Sequence, residues 1–283
     1  MAVLRAYQAT DMRLDLWGGI VVERGFREIV ATDGAHVSSY GGAFSFPGSG
    51  LVSGTGSWYS YGDPFGLGPV SGTLNSYRQD LGFFRQFSIE RLAVPAGPLF
   101  TAIRHGDTDL ASALVFSGAD QLTGSRDRDV LLGFSGADML SGLDGGDLLD
   151  GGRGADILRG GDGADLLIGG EGRDHQFGGS GDDTFRFRAV SDSPAGAVHR
   201  DVIGDFTHDA DHLDLRRIDA DATEPGRQSF TYIGSAPFTD SPGELRYSRS
   251  SRVVSGDTDG DGKADFQIVL SGGPVLSHHD LLL

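Results

Sequence analysis

Gly142-Leu-Asp-Gly-Gly-Asp147-Leu-Leu-Asp-Gly151-Gly-Arg-Gly-Ala-Asp156-Ile-Leu-Arg-Gly160-Gly-Asp-Gly-Ala-Asp165-Leu-Leu-Ile-Gly169-Gly-Glu-Gly-Arg-Asp174 is the stretch that decides how this chain folds. Asp recurs in it every nine residues, and the register extends both ways through Asp120, Asp129, Asp138, Asp147, Asp156, Asp165, Asp174 and Asp183. Two residues after each Asp stands an apolar side chain: Leu122, Leu131, Leu140, Leu149, Leu158, Leu167 and Phe185, with Gln176 the exception. Two residues before each stands Gly, except in the second row, where Asp127 occupies the place. The later rows open on paired glycines, so the unit is Gly-Gly-x-Gly-x-Asp-x-(apolar)-x over residues 115–186. A fixed short period of this kind signals a solenoid rather than a globular core.

Six Gly-rich residues turn tightly because Gly tolerates positive φ. The remaining three form a short strand whose middle residue points inward. Two units then make one coil of a parallel β-roll, and Asp side chains from alternate units stack on each flank at roughly 4.8 Å. At an effective dielectric near 20, carboxylates at that spacing repel by roughly 3.5 kcal/mol per pair. A bare roll opposes itself, and one small inward side chain per nine residues is a thin core to set against that. A hard divalent cation between successive turns resolves the conflict, held by carboxylates and by the carbonyls that glycine turns expose. That oxygen-only shell suits Ca²⁺, whereas Mg²⁺ keeps its waters and demands a tight octahedron. A flexible Gly-rich linker is the bland alternative, but a linker has no reason to keep Asp and Leu in register.

The unit resembles the nonapeptide of the RTX (repeats-in-toxin, hemolysin-type) calcium-binding proteins. The resemblance implies several Ca²⁺ ions, each between turns two units apart, taking both Asp carboxylates and backbone oxygens such as those of Gly152, Gly154, Gly161, Gly163, Gly170 and Gly172. Eight rows allow at most six such bridges. The first rows lack paired glycines, so complete sites are expected mainly across 142–186. Asp192 lies outside the register, and its replacement by Ala is expected to weaken calcium-dependent folding far less than that of Asp156.

Residues 187–283 have fewer glycines and strand-like runs at 201–206, 212–215, 228–233, 243–247 and 265–270. This segment is similar to the C-terminal domain of the serralysin-type (M10) secreted metalloproteases. The matching motifs are Arg200-Asp-Val-Ile-Gly-Asp-Phe206, the Asp-x-x-Asp-Leu of Asp211, Asp214 and Leu215, Phe230-Thr-Tyr-Ile-Gly-Ser235 and the Asp-rich run of 259–266. The resemblance implies a cap that assists export and adds Asp211 and Asp214 to the metal-binding oxygens. Asp257, Asp259, Asp261 and Asp265 give the first nine positions of an EF-hand-like loop, with Gly262 at the sharp turn. Ile268 stands where the bidentate Glu belongs, so a solvated hairpin turn is the equal alternative. His208-Asp-Ala-Asp-His212 imitates a zinc-protease spacing, but between strands these histidines share no helical face. The end, Asp280-Leu-Leu-Leu283, is similar to the uncleaved signal read by type I secretion machinery in the same families; the leucines can equally pack on the last strand.

Residues 1–114 carry 10 acids and 8 bases, against 14 and 6 in 115–186 and 16 and 9 in 187–283. Alternating runs at 13–17, 20–23, 43–46, 57–61 and 87–92 point to an antiparallel β domain, and a short helix is expected near 98–114. His105, Asp107 and Asp109 read as end-capping residues before they read as a catalytic cluster; Trp58, Tyr59, Tyr61 and Tyr77 read as core before a glycan-binding strip.

The expected architecture is all-β: a Ca²⁺-bound parallel roll (115–186) between an N-terminal antiparallel domain (1–114) and a serralysin-like cap (187–283). With 34 Asp against 6 Glu, a single lysine, Lys263, and a net charge of −17, nucleic-acid binding is excluded as a class. Without cysteine there is no disulfide, thiol nucleophile or zinc thiolate. No apolar run is long enough for a membrane helix, and the stretch Met1–Asp11 has no apolar h-region, so no ordinary secretory signal peptide is expected. Gly-x-Ser-x-Gly and His-Glu-x-x-His are also missing, so the expectation is a secreted, non-enzymatic calcium-binding protein exported by the type I route. The rival is a hydrolase or glycan-active enzyme whose site lies within 1–114, where an extracellular glycan or surface ligand would bind.

Overall fold

The computed structural model describes residues 117–283 throughout and, before them, the backbone of six strands. Those six are β1 (Val3–Ala6), β2 (Arg27–Val30), β3 (Ser38–Gly41), β4 (Gly50–Ser53), β5 (Thr73–Leu81) and β6 (Phe84–Pro95). Apart from 3-10 turns at Val190–Asp192 and His278–Asp280, every regular element among the described residues is a strand. The described part of the protein is all-β, as the repeat pattern requires.

Eight nonapeptides give eight strands: β7 (Gln121–Thr123), β8 (Val130–Leu132), β9 (Met139–Asp144), β10 (Leu148–Arg153), β11 (Ile157–Asp162), β12 (Leu166–Glu171), β13 (His175–Ser180) and β14 (Thr184–Arg186). Odd-numbered strands pair in parallel on one face and even-numbered ones on the other, each with the strand two units on. Each strand offers one inward residue, so the core is two facing columns. Leu122, Leu140, Leu158 and Gln176 are in register on one sheet; Leu131, Leu149, Leu167 and Phe185 are in register on the other. All are buried. Gln176 takes its place among the leucines with neither amide atom hydrogen-bonded, a local cost that the apolar residues above and below do not carry.

The sheets run past Arg186 without a break. β15 (Val202–Ile203) pairs in parallel with β13, and β16 (His212–Asp214) with β14, adding Ile203 and Leu213 to the two columns. After them come β17 (Thr231–Tyr232), β18 (Glu244–Ser248), β19 (Val253–Asp257), β20 (Phe266–Leu270) and β21 (Leu281–Leu282). β20 lies parallel on β15 and β21 parallel on β16, so Leu270 and Leu281 close the columns. β18, β19 and β20 pair antiparallel, and β17 runs parallel to β18. The thin repeat core thereby widens into a cluster that includes Phe187, Phe206, Ile218, Phe230, Tyr247, Val254, Phe266 and Ile268.

At the opposite end β1 pairs in parallel with β7 and antiparallel with β6, and β4, β5 and β6 continue the sheet antiparallel. β2 and β3 form a separate antiparallel pair. The antiparallel character expected for this region holds for these strands, and the run 87–92 lies inside β6. The runs at 13–17, 20–23, 43–46 and 57–61, the helix near 98–114, and His105, Asp107, Asp109, Trp58, Tyr59 and Tyr61 lie outside the described residues; Tyr77 falls in β5. Among the described residues no helix is long and apolar enough to cross a membrane.

Candidate metal centre

The register Asp opens each strand, where its backbone is already committed to the ladder and its side chain turns back toward the preceding coil. Asp120 N–H donates to Asp138 Oδ1 at 2.7 Å, Asp138 N–H to Asp156 at 2.8 Å, and Asp156 N–H to Asp174 at 2.8 Å. On the other flank Asp129 donates to Asp147 at 2.7 Å, Asp147 to Asp165 at 2.7 Å, and Asp165 to Asp183 at 3.0 Å. The predicted step of two units is therefore the physical step of the column. Each column also outlives the repeat: Asp174 N–H donates to Asp201 Oδ1 at 2.8 Å, and Asp183 N–H to Asp211 Oδ1 at 3.1 Å.

Asp129 Oδ2 accepts from Ser125 and Asp211 Oδ2 from Thr207 N–H, but along the rest of the columns only one oxygen of each carboxylate is used in this way. The Oδ2 atoms of Asp138, Asp147, Asp156, Asp165, Asp174, Asp183 and Asp201 are buried and accept no hydrogen bond. Native proteins leave few such atoms unpartnered, so seven in register ask for a common partner. Burial pushes the carboxyls of Asp138, Asp147 and Asp174 up to about 7 and those of Asp156 and Asp183 up to about 6. Repulsion from the next carboxylate in the column adds to it at Asp138, Asp147, Asp174 and Asp183. Asp201, enclosed more deeply and facing Asp174, is pushed up to about 9. Asp165 and Asp211 move the same way through burial.

The turns supply the remaining oxygens. Glycines one coil apart are superposed so closely that a Cβ on Gly170, Gly172, Gly179 or Gly181 would overlap the carbonyl oxygen of Gly152, Gly154, Gly161 or Gly163, respectively. Gly154 and Gly163 also hold φ of 136° and 141°, which a side chain rarely tolerates. The first glycine of each pair leaves room for the orphaned oxygen: a Cβ on Gly151 would strike Asp156 Oδ2 and the Gly169 carbonyl, and one on Gly160 would strike Asp165 Oδ2 and the Gly178 carbonyl. Carboxylate and carbonyl oxygens thus converge on one cradle per turn, with neither nitrogen nor sulfur among them. This donor set fits a hard, oxygen-seeking divalent cation. In the early rows Phe134 and Leu143 stand where later rows have the second glycine, at φ of 65° and 84°, a strained conformation for side chains of that size.

The other sequence candidates fall in different surroundings. Asp257, Asp259 and Asp265 bring carboxylate oxygens within 4.8 Å of one another at the tip of the β19–β20 hairpin, and no helix flanks them. Asp257 is fully buried and accepts from Gly260 N–H at 2.7 Å and Gly262 N–H at 2.9 Å; Asp265 accepts from Thr258, while Asp261 pairs with Lys263. Asp214, although adjacent to the column in sequence, faces outward and binds Arg186 Nε and Arg216 Nε, both at 2.9 Å, so its oxygens serve guanidinium groups instead of a turn. His208 groups with Asp209 and Asp280, and His212 is not in that cluster. His208 Nδ1 lies 2.9 Å from Asp280, whose carboxylate also accepts from Asp209 N–H at 2.9 Å and Ser277 N–H at 2.6 Å. Leu281 and Leu282 pair in parallel with β16 rather than with the strand that precedes them in sequence.

Two acidic residues matter that sequence reasoning did not assign. Asp201 is the last member of one column. Its nine-residue spacing is lost, but the Asp-x-apolar triplet survives in Asp201-Val-Ile203, as it does in Asp211-His-Leu213. Asp192, expected to matter far less than Asp156, is buried and accepts from the N–H groups of Arg188 at 2.6 Å and Ala189 at 3.3 Å, closing the 3-10 turn that follows the roll. It holds the backbone of that turn, so it cannot serve as an indifferent control.

Residues 112–283 match the family described as Peptidase M10 serralysin C terminal. Among solved structures, the chain is similar to two solution structures of subunits of the Azotobacter vinelandii mannuronan C5-epimerase. AlgE6R3 is 25% identical, with 58% of this chain and 78% of that chain covered and a TM-score of 0.35. AlgE6R2 is 28% identical, with 59% and 88% covered and a TM-score of 0.34. No curated protein sequence matches.

Proposed function

This chain belongs to the Peptidase M10 serralysin C-terminal family, with an RTX-type roll as its repeat, and from that premise we propose that it is a secreted calcium-binding protein whose roll closes on extracellular Ca²⁺. The observation that carries the reading is the row of seven buried, unpartnered Asp Oδ2 atoms beside turn carbonyls. Calcium supplies the positive charge that lets those carboxylates stay ionised side by side. The chain supplies the rest: Oδ1 ties each coil to the one before it, glycine lets the turns stack, and the leucine columns exclude water from between the sheets. With little calcium the acidic turns repel and the chain remains open and threadable; with calcium present, binding and folding become one equilibrium. Export by type I machinery rests on the family resemblance. The roll and cap act as a folding and binding module and not as a catalyst, and they carry residues 1–114 as the part that meets an outside ligand.

Circular dichroism during a calcium titration tests this. Strand signal is expected to appear with a midpoint of about 10⁻⁴–10⁻³ M, the range of extracellular calcium modules. Full strand signal in excess chelator, or the same titration with magnesium, overturns the proposal.

A further inference from the structure

One feature of the cap runs against the charge of the whole molecule. In a chain of net charge −17, four arginines, Arg186, Arg216, Arg217 and Arg227, converge on a single open cleft of about 400 Å³ around Asp214. Arg186 comes from the last repeat strand, Arg216 and Arg217 from the turn after β16, and Arg227 from the segment before β17. One carboxylate against four guanidinium groups leaves a local charge of +3.

Asp214 is nearly inaccessible and serves to orient. Arg216 grips it in fork geometry, Nε to Oδ1 at 2.9 Å and Nη2 to Oδ2 at 3.0 Å, and Arg186 Nε takes Oδ2 at 2.9 Å. Burial acts to raise the Asp214 carboxyl, but hydrogen bonds from Arg216 and Arg186 outweigh it and hold it at about 2, so it stays a fixed anion at neutral pH. The clamp leaves both Nη groups of Arg186 and Nη1 of Arg216 uncommitted. Arg217 and Arg227 are exposed and make no hydrogen bond or ion pair. Two arginines are thus pre-set by a buried carboxylate, and two free ones complete the lining. Guanidinium forks match the oxygens of carboxylate and phosphate groups.

We propose that this cleft, formed by Arg186, Arg216, Arg217 and Arg227 around Asp214, is a binding site for a small dianionic oxyanion ligand, a phosphate monoester or a dicarboxylate. The size follows from the field as well as from the volume: an extended polyanion would run off the local positive charge onto a strongly acidic surface and be repelled. No Asp of the columns lines the cleft, so probe binding is measured with the column sites held saturated in calcium.

The test is isothermal titration calorimetry on the whole chain in saturating calcium, with glucose 6-phosphate, succinate and neutral glucose as probes. One of the two dianions is expected to bind saturably while glucose does not, and whichever binds identifies the source of the oxyanion. The double variant Arg217→Gln/Arg227→Gln removes only exposed, unpaired side chains, so the fold persists, which the dichroism spectrum checks. Binding is expected to weaken about ten-fold or more in this variant and to stay unchanged in Arg173→Gln, an exposed arginine of the roll. Equal affinity in the double variant, or no saturable binding of either dianion, overturns the proposal. Failure of calcium-dependent folding would instead strike the calcium reading, since it appears in the spectrum before any probe is added.

Discussion

Asp174 in the roll and Asp214 and Asp280 in the cap are all buried carboxylates on the same scaffold, yet their surroundings push them in opposite directions. Burial raises Asp174 to about 7, with one backbone N–H as its only donor. Asp280 is displaced downward: burial acts to raise it, but donors from Asp209, Ser277 and His208 outweigh that. Asp214 is held low by two arginines. Burial by itself therefore does not decide whether a carboxylate is a liability. The supply of donors does, and along the columns the chain withholds half of that supply, where a cation can provide it.

The contrast breaks most sharply at the metal. Asp156→Ala, which removes one column carboxylate, is expected to raise the calcium needed for half-folding by an order of magnitude or more, about what the loss of a charged ligand costs. Asp182→Ala, at an exposed neighbour of the register, is expected to leave the midpoint in place; equal shifts in the two dichroism titrations would remove the distinction between column and surface.

A second effect concerns protons. Column carboxyls raised from 3.8 to about 6–7 bind more protons folded than unfolded. Without calcium, the stability they contribute is complete below about pH 4 and is lost as the pH climbs through 6–7. In chelator, strand signal is expected to be stronger at pH 5 than at pH 8. The opposite order would mean that these carboxylates already have their partners.

The cap should respond differently. Asp280→Ala strands two backbone N–H groups and His208, and is expected to cost about 3 kcal/mol in urea unfolding. The loss should be the same at all saturating calcium concentrations; a loss that more calcium repairs would tie the terminus to the columns.

The smallest change is a gain. Gln176→Leu replaces an unpaired buried amide with the residue its neighbours carry and is expected to stabilise the calcium-loaded protein by about 1–2 kcal/mol. Destabilisation in the same urea assay would show that the amide has a partner.

Much of this was legible from the chain because a solenoid repeats a local rule. Each nonapeptide specifies its own turn, strand and inward residue, so Leu122 through Phe185 and Asp138 through Asp183 could be placed by counting. Counting stops at Asp183. An insertion of irregular chain sets the next column members 27 and 28 residues on, at Asp201 and Asp211, where only the Asp-x-apolar triplet still marks them. Asp214 shows the reverse error of pattern reading: its spacing from Asp211 looks like a ligand motif, but its place as the third residue of β16 turns it to the outer face of the sheet, toward arginines.

The sequence alone determined the coil, its period, its two flanks of Asp and the oxygen chemistry they imply, since each follows from residues within one or two repeats of one another. Only the tertiary structure decided where the columns end, that Leu270 and Leu281 complete them, and that Asp280 is tied to His208, 72 residues away. It also decided that four arginines distant in sequence share one cleft. These depend on parallel pairing between strands that no local propensity links, because a short strand carries too little pattern to name its partner until the rest of the sheet is there to receive it.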